Sequence, residues 1–462
     1  MNKLIIFFGL VAALPVAAQK KTAKPIAKPI AKPIAKPIAK PIAKAVSVSA
    51  ATVTRVIQTL AADDMQGRGT GQPGGLKAAQ FLTAEFKRIG LKPLPGQTRF
   101  EQTLTVYQGL TSPVAAIVNG QTLAPAQAVA VSGQPTLRWT SEDAQPPAVV
   151  AIGSDPAERR QLFSYLRPTA NTLVFVDTAQ AKVFRQLAEY VAKGTTSAEP
   201  PKPFSTVFVL GARPATLTYR ISASSVSQPV ELRNVVGQLP GHNPKRAKEN
   251  VVFSGHYDHL GYLRPVAGDS IANGADDDAS GTTAVVALAE YFKKRNDNAR
   301  PLIFVAFAAE EVGGFGSQFF SKQLDPQQVV AMFNMEMIGK EAKFGPNTAF
   351  ITGYDRSNFG KLLQANLAGS KFRFEPDPYP EQNLFYRSDN ATLARLGVPA
   401  HSISTDQIPM DGLYHSVDDE VESLDLKNMR AVIQAIAQSA SGIVAGRQTP
   451  TRIPPLTDDN RR

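Results

Sequence analysis

The sequence predicts an α/β protein that has a mixed, mostly parallel central sheet flanked by helices, and a smaller inserted domain. From about residue 233 onward, short apolar runs alternate regularly with segments of helical periodicity, which is typical of a sheet covered by helices. The 462 residues are 43% apolar and 19% charged, which indicates a globular chain. This length suits one large enzyme domain with an insertion, or two or three smaller domains.

Residues 1–18 are predicted to be a secretory signal peptide. Lys3 precedes an apolar stretch that ends in small residues, and its length of about 15 residues is short of the roughly 20 needed to span a bilayer. An uncleaved membrane anchor is the alternative interpretation. We therefore expect a secreted or periplasmic protein, and no later segment is apolar enough to predict a transmembrane helix.

Residues 19–44 are predicted to be a lysine- and proline-rich linker. They contain five consecutive copies of KPIA, from Lys24 to Ala43, and proline at every fourth position favours an extended polyproline II conformation. A solvated spacer is the favoured interpretation, and weak contact of its lysines with an anionic envelope surface is the alternative.

The positive charge of the chain is concentrated at its N-terminus. The formal net charge is +11, but nine of the 50 Lys and Arg residues lie in residues 1–44, which leaves 41 basic against 39 acidic side chains. A nearly neutral body lacks the basic face that nucleic-acid-binding proteins carry. We therefore expect no nucleic-acid partner.

Residues 45–102 are predicted to form the N-terminal part of the main domain, and residues 103–230 an inserted domain. Two amphipathic helical patterns, beginning near Thr52 and ending near Ile89, flank the glycine-rich run DMQGRGTGQPGG. The insertion shows weaker patterns, with predicted strands near 149–152, 173–176 and 217–221 and a predicted helix near 183–191.

Residues 231–446 are predicted to form the main domain, and residues 447–462 a flexible tail. The predicted strands are the apolar runs Val251–Phe253, Leu302–Phe307, Val329–Phe333 and Ala400–Ile403. The predicted helices cover about residues 283–292, 362–367 and 425–443.

Metal-ligand residue types follow the predicted strands of the main domain, where ligands bind in open α/β sheets. They are His256, Asp258 and His259, the three aspartates 276–278, Glu310 and Glu311, and Glu336, with His415 later in the chain. Two carboxylates at the end of a buried strand would repel each other unless a cation neutralised them. Taken singly, the three aspartates also fit a solvated turn or a calcium loop.

The chain has no cysteine, so a metal must be held by His, Asp and Glu, a set that suits zinc, manganese or cobalt. Adjacent side chains at the end of a strand point to different sides. Glu310 and Glu311 should therefore differ in role, one binding metal and the other facing an attacking water.

Seven motifs from about residue 233 to 440 resemble the co-catalytic zinc exopeptidases, a family that includes bacterial leucyl aminopeptidases and glutamate carboxypeptidase. The matching runs are NVVGQLPG, GHYDHLG, NGADDDASGT, FVAFAAEEVGGFGS, NMEMIG, FYRSDNATLARLGVPA and GLYHSVDDEVE. The run DMQGRGTGQPGG is similar to the family's N-terminal segment. The resemblance implies two zinc ions per chain, and it makes residues 231–446 the main zinc peptidase domain. The insertion loosely resembles a protease-associated domain.

The resemblance also implies a role for each site residue. Asp276 would bridge the two ions, Glu311 and His415 would complete one ion, and His256 and Glu336 would complete the other. Glu310 would be the general base, Asp258 the carboxylate that orients His256, and the Tyr414 hydroxyl a donor to the oxyanion. The chain has Glu336 where many members have aspartate, and Asn390 where the family often has histidine.

The expected function is removal of N-terminal residues from peptides by two zinc ions, a bridging water and a glutamate general base. A carboxypeptidase, dipeptidase or glutaminyl cyclase on the same scaffold is the alternative among enzymes, and a non-catalytic binding ectodomain is the alternative among other proteins. Loops around Met337, Phe385, Tyr386 and Leu413 are expected to shape the pocket that selects the substrate.

Overall fold

A computed structural model describes residues 46–456. The predicted signal peptide, the KPIA linker and residues 457–462 of the predicted tail lie outside the described residues. The strands are β1 Glu101–Thr111, β2 Ala115–Val118, β3 Gln121–Thr122, β4 Ala128–Ser132, β5 Thr136–Thr140, β6 Ala148–Ile152, β7 Thr172–Val176, β8 Thr195–Ser197, β9 Ser205–Leu210, β10 Tyr219–Leu239, β11 Asn250–His256, β12 Gly261–Val266, β13 Asp269–Ala272, β14 Leu302–Phe307, β15 Val329–Met335, β16 Thr348–Ile351, β17 Arg373–Pro376 and β18 Ala400–Ser404. The α-helices are α1 Ala50–Leu60, α2 Pro73–Ile89, α3 Arg159–Ser164, α4 Ala181–Ala192, α5 Gly281–Arg295, α6 Phe315–Lys322, α7 Phe359–Asn366, α8 Asn390–Ala394, α9 Leu426–Ser439 and α10 Ser441–Val444.

The main sheet has a parallel centre and antiparallel margins, which confirms the predicted mixed α/β fold. Its strands follow the order β17-β16-β18-β15-β11-β14-β10-β1-β8. Strand β11 pairs in parallel with β14 and β15, and β15 pairs in parallel with β18. Strands β10 and β1 are antiparallel. Every residue of β14 and β15 is buried, as expected for central strands that are covered by helices on both faces.

The apolar runs of the main domain place its strands well. Leu302–Phe307 is a strand over the predicted residues, whereas β11 and β15 each continue beyond their apolar run, to His256 and Met335. The predicted final helix is interrupted near Ala440, where α9 ends and α10 begins. None of the helices described for residues 46–456 combines the length and the apolarity that crossing a bilayer requires.

Two long strands connect the main sheet to the inserted segment. Strand β10 is 21 residues long, and β1 pairs with it from Glu101 opposite Val235 to Thr111 opposite Ser225. The predicted boundaries at residues 103 and 230 therefore fall inside these paired strands. Beyond them, β4, β9, β7 and β6 form a separate four-stranded sheet, and α4 buries Phe184, Leu187 and Val191 in the core beside it.

The predicted flexible tail is packed against the body as far as residue 456. The buried Arg300 guanidinium donates to the carbonyl of Gln448 and to the hydroxyl of Thr449. Ile453 is buried with the residues around β15 and β18, and its main-chain nitrogen donates to Gly397. The prediction of a flexible tail is therefore wrong for residues 447–456, because a buried guanidinium and an apolar side chain fix this segment.

Candidate metal centre

Histidine and carboxylate side chains converge at the carboxyl ends of the parallel strands. His256 is the last residue of β11, Glu310 and Glu311 follow β14, and Glu336 directly follows β15. Parallel strands end at the same edge of the sheet, so their C-terminal residues meet there. His415 reaches the same point from the loop before α9.

Asp277 lies between the two histidines that the sequence marked as ligands. Its Oδ1 is 3.3 Å from Nε2 of His256, and its Oδ2 is 3.2 Å from Nε2 of His415. Glu336 Oε1 is 3.2 Å from the same His256 nitrogen, and Glu311 Oε2 is 3.3 Å from the same His415 nitrogen. The four distances define two groups of donor atoms that share one carboxylate.

These distances fit two zinc ions. Zinc binds histidine nitrogen and carboxylate oxygen at about 2.0–2.2 Å, so neighbouring ligand atoms of a tetrahedral site lie about 3.3 Å apart. The charge fits as well, because three buried or half-buried carboxylates surround the two imidazoles. Burial alone would lower the pKa of His256, but Glu336 and Asp277 raise it well above its usual value. Such a field favours any added cation.

The predicted bridging role of Asp276 is not supported by its position. Its Oδ1 accepts hydrogen bonds from the Gly339 main-chain nitrogen at 2.8 Å and from the Ser280 hydroxyl at 3.3 Å. Its Oδ2 lies 3.5 Å from the Lys340 ammonium. The carboxylate of Asp276 thus turns away from the histidines, and the carboxylate that lies between them is that of the next residue, Asp277.

The third aspartate of the run connects the loops of the centre. Asp278 Oδ2 accepts from the His256 main-chain nitrogen at 3.2 Å, and Oδ1 accepts from Gly281 and Met337, both at 3.0 Å. Asp278 also lies close to His256 and Glu336. Because its oxygens are used by main-chain donors, we assign Asp278 to holding the loops and Asp277 to the ions.

Glu311 is supported by a second histidine. Nδ1 of His259 donates to Glu311 Oε1 at 2.7 Å, while Oε2 faces His415. His259 lies farther from Asp277 than His415 does, at 3.8 Å against 3.2 Å. His259 therefore orients Glu311, and His415 completes the donor group as the sequence predicted.

Glu336 is held by two neighbouring polar side chains. The Ser388 hydroxyl and the Asn334 amide both donate to its Oε2, which leaves Oε1 facing His256. The longer arm of glutamate is thus accommodated. Asn390 is buried, and its amide donates to the carbonyls of Phe385 and Ala400. Asn390, at the position where the family often has histidine, therefore supports the local backbone.

Asp258 contacts both a metal-ligand histidine and the predicted base. Nδ1 of His256 donates to the main-chain carbonyl of Asp258 at 3.0 Å, whereas the Asp258 carboxylate is 3.8 Å away. The carboxylate instead accepts from the Glu310 main-chain nitrogen and the Thr70 hydroxyl. Asp258 orients His256 mainly through its main chain, and its side chain fixes the start of the Glu310 loop.

The Glu310 side chain lies beside the two groups of candidate metal-ligand atoms and belongs to neither group. Burial raises the pKa of its carboxyl well above the usual value, and Glu336, Asp389 and Glu311 raise it further against the opposing charge of His256. A raised pKa suits a group that accepts a proton near neutral pH.

Tyr414 lies against the centre. Its ring stacks on His415 with the two centroids 3.8 Å apart, and the side chain lines a pocket together with Glu336 and Met337. Burial raises the pKa of the Tyr414 hydroxyl, with Asp277 and Glu311 next in effect, so the hydroxyl keeps its proton and remains a donor.

Arg68 was not singled out by the sequence, yet it connects the end of α1 to two loops beneath the site. The fully buried guanidinium donates to the carbonyls of Leu60, Tyr257, Asn273 and Gly274 at 2.5–2.8 Å. Two of these carbonyls precede the aspartate run, and a third follows His256. The sequence feature that could have indicated this role is the position of Arg68 between two glycines in DMQGRGTG. An arginine side chain flanked by glycines can lie against closely packed backbone.

Comparisons with known proteins relate the main domain to a peptidase family. The model of the family described as "Peptidase family M28" matches residues 234–440. The chain is 28% identical over 214 residues to leucine aminopeptidase 1 of Ajellomyces capsulatus, covering 42% of this chain and 52% of that protein. It is 40% identical over 101 residues to a probable zinc metalloprotease of Pyricularia oryzae, covering 22% and 19%. The chain spans about half the length of the leucine aminopeptidase it matches.

Two solved structures show the same fold over most of this chain. The aminopeptidase from Aneurinibacillus sp. strain AM-1 has a TM-score of 0.55 at 16% identity and covers 89% of this chain and 96% of its own. A zinc aminopeptidase from Bacillus subtilis has a TM-score of 0.55 at 13% identity, with 88% and 98% covered. At this identity the likeness concerns the fold alone.

Proposed function

The chain carries a domain of Peptidase family M28 at residues 234–440, and from this premise we propose that it is a two-zinc aminopeptidase. The resemblance to co-catalytic zinc exopeptidases that the motifs indicated is thereby confirmed. The proposal adds three points: two ions, release of N-terminal residues, and a named set of side chains.

The observation that carries the proposal is the position of Asp277 between His256 and His415. In our assignment His256 and Glu336 would hold one zinc ion, Glu311 and His415 would hold the other, and Asp277 would contribute to both. Each histidine nitrogen has two carboxylate oxygens at 3.2–3.3 Å, the spacing of ligands around one zinc ion.

Two zinc ions, when bound, would supply a Lewis acid for the peptide carbonyl and would lower the pKa of the attacking water. Glu310 accepts the proton of the attacking water and returns it to the leaving amine. The Tyr414 hydroxyl donates a hydrogen bond to the carbonyl oxygen as negative charge develops on it. Ser388 and Asn334 keep Glu336 in place during these steps.

The experiment combines metal content with exopeptidase polarity. Purified protein should contain about two zinc ions per chain, lose activity on exhaustive chelation, and regain activity when zinc is restored. Aminoacyl substrates with a free amino terminus should be cleaved, whereas the same substrates acetylated at the amino terminus should not. Cleavage of carboxyl-terminal residues, hydrolysis of dipeptides only, or cyclisation of N-terminal glutamine would each replace the proposal with another activity. Turnover by protein shown to be free of metal would contradict the two-zinc mechanism.

We further propose that the chain is secreted or periplasmic, with residues 1–18 removed and residues 19–44 acting as a spacer. Lys3, the apolar stretch after it and the small residues at its end support removal of residues 1–18, and the low-complexity KPIA repeat supports a spacer. Deletion of residues 19–44 should leave turnover of a small peptide unchanged. If the lysines also contact an anionic envelope surface, the full mature chain should bind anionic vesicles at low salt more strongly than the deletion variant, and the difference should vanish at high salt.

A further inference from the structure

A pocket opens beside the proposed zinc centre on the side of Glu336 and Tyr414. Its apolar wall is formed by Met337, Phe350, Leu384 and Ile408. Glu336 and Tyr414, which the proposed function places at the zinc centre, line the same pocket. In an aminopeptidase, the pocket next to the centre receives the side chain of the N-terminal residue, so its chemistry determines which residue is removed.

Asp406 also lines the pocket and has an unusual environment. The residue is 4% exposed, and both of its carboxylate oxygens lack a hydrogen-bond partner among residues 46–456. A buried carboxylate without a partner is costly, and such groups are normally paired or hydrogen-bonded. Burial, followed by the charges of Asp276 and Asp411, raises the pKa of Asp406 to about 8.

The described residues around Asp406 offer its carboxyl no cation of its own, so at neutral pH the carboxyl holds a proton, which an entering cation would displace. One oxygen each of Asp406, Asp276 and Asp411 lie within 4.8 Å of one another. Lys340 is the ammonium found in this cluster within the described part of the chain, and it is already engaged, 2.6 Å from Asp411 and 3.5 Å from Asp276. Three carboxylates thus share one cation, and Asp406 is the member that faces the pocket.

We propose that this pocket takes the cationic side chain of an N-terminal lysine or arginine, with Asp406 as the anchor for its charge. The apolar wall would cover the methylene stem, and the charged end would reach the unpaired carboxylate. This inference rests on the proposed aminopeptidase function and adds the class of substrate. Arg387 also lines the pocket, and its positive charge would favour an acidic substrate side chain. Arg387 is exposed to solvent, however, whereas Asp406 is buried.

The first test compares substrates on the unmodified zinc enzyme. Fluorogenic amides of lysine, arginine, leucine, methionine, glutamate and citrulline share one leaving group, and citrulline is a neutral analogue of arginine with similar shape. We expect kcat/KM for arginine to exceed that for citrulline by about 10-fold or more, because citrulline can donate hydrogen bonds to the Asp406 carboxyl but carries no positive charge to pair with it. Equal rates for arginine and citrulline, or a preference for leucine or glutamate, would overturn the assignment.

The second test changes the anchor. Asp406→Asn should lower kcat/KM for lysine and arginine by about 10-fold or more while leaving leucine turnover within about threefold, whereas Asp406→Glu should restore a preference for basic residues. Asp418→Asn, which removes an exposed aspartate in the same loop outside the pocket, is the matched control and should change neither rate. An unchanged ratio of arginine to leucine rates in Asp406→Asn contradicts the proposal. Absence of any aminoacyl hydrolysis in the parent enzyme contradicts the proposed function instead, so the two failures are distinguishable.

Discussion

The Asp419 carboxylate accepts a hydrogen bond of 3.1 Å from the main-chain nitrogen of Asp277. The same carboxylate accepts from the nitrogen of Asp276, and the Asp419 carbonyl accepts from the nitrogen of Ala275. One buried side chain after His415 therefore fixes the loop that presents the proposed bridging ligand. The C-terminal motif GLYHSVDD therefore supplies both the proposed ligand His415 and the support for the proposed ligand Asp277, which lies between β13 and α5.

Replacement of Asp419 by alanine should weaken zinc binding without removing a ligand. The loss leaves two buried main-chain donors unpaired and frees the loop of Asp277, and such supporting groups typically contribute 10–100-fold in metal affinity. Zinc affinity is measured by competition with a chromophoric chelator. Asp418→Ala is the control, because that side chain is exposed. Equal affinity in the two variants would show that Asp419 does not position Asp277.

Variants of the neighbouring residues Asp276 and Asp277 should differ in the amount of zinc that they bind. Asp277→Asn should reduce bound zinc below two ions per chain and lower activity by at least about 100-fold, because it removes the shared charge of the two donor groups. Asp276→Asn should retain both ions, since an asparagine oxygen can still accept from Gly339. Elemental analysis after gel filtration measures the difference. The reverse pattern would restore Asp276 as the bridge.

The adjacent glutamates should also differ. Glu310→Gln should keep both zinc ions and lower kcat by about 100-fold or more, the usual effect of losing a general base. Glu311→Gln should lose zinc, because one of its oxygens belongs to a donor group beside His415. Loss of zinc from Glu310→Gln with retention in Glu311→Gln would exchange the two roles.

Arg68→Lys should destabilise the fold and the metal centre together. A lysine ammonium cannot reach all four carbonyls that the guanidinium satisfies, and unpaired buried acceptors cost about 1–3 kcal/mol each. We expect a loss of about 3 kcal/mol in the free energy of unfolding, measured in urea, and weaker zinc binding. Arg55→Lys, at a half-exposed ion pair with Glu85, should cost less than about 1 kcal/mol. Similar losses in both variants would contradict the special position of Arg68.

Glu290 gives a prediction for pH. Burial would raise the pKa of its carboxyl, but hydrogen bonds from Lys294, Thr52 and Arg88 lower it from 4.5 to about 2. A folded pKa below the unfolded value stabilises the protein above pH 4.5, and this contribution is lost as the pH falls toward 2. Glu290→Gln should therefore lower the free energy of unfolding at neutral pH by about 1 kcal/mol, given partial screening by solvent.

The gap between Glu290→Gln and the parent protein should narrow as the pH is lowered below 4.5. Urea midpoints measured at a series of pH values test this, and Glu422→Gln, which changes an exposed glutamate, is the control. A gap that stays constant at acid pH would show that the loss comes from packing and not from the charge.

The sequence predicted most strands of the main domain, because apolar runs determine where these strands lie. Leu302–Phe307 was placed to the residue, and the ligand types after the strand ends meet as expected. Asp276 was expected to be the bridge because three consecutive aspartates have the same chemistry, but the path of the backbone turns the Asp277 carboxylate toward the histidines. The length of β10 was missed because its middle residues are exposed and show no apolar alternation.

Supporting residues were the hardest to predict. Arg68 satisfies main-chain carbonyls, and its partners are therefore invisible in any pattern of side chains. His259 and Asp419 belonged to quoted motifs, but their hydrogen bonds to Glu311 and to the aspartate loop depend on tertiary contacts between distant segments. Asp406 lies outside the ligand set, and only the fold places it in the pocket.

The ribbon of β1 and β10 gives the inserted segment a simple architectural origin. Because Thr111 stands opposite Ser225 in an antiparallel pair, the segment between them is inserted at one end of this ribbon, and it returns to add β8 beside β1. Chain tips of this kind accept extra sequence without disturbing the strands below. A short turn joining residues 111 and 225 would close the same hairpin, so the chain enters and leaves the intervening segment through one pair of strands.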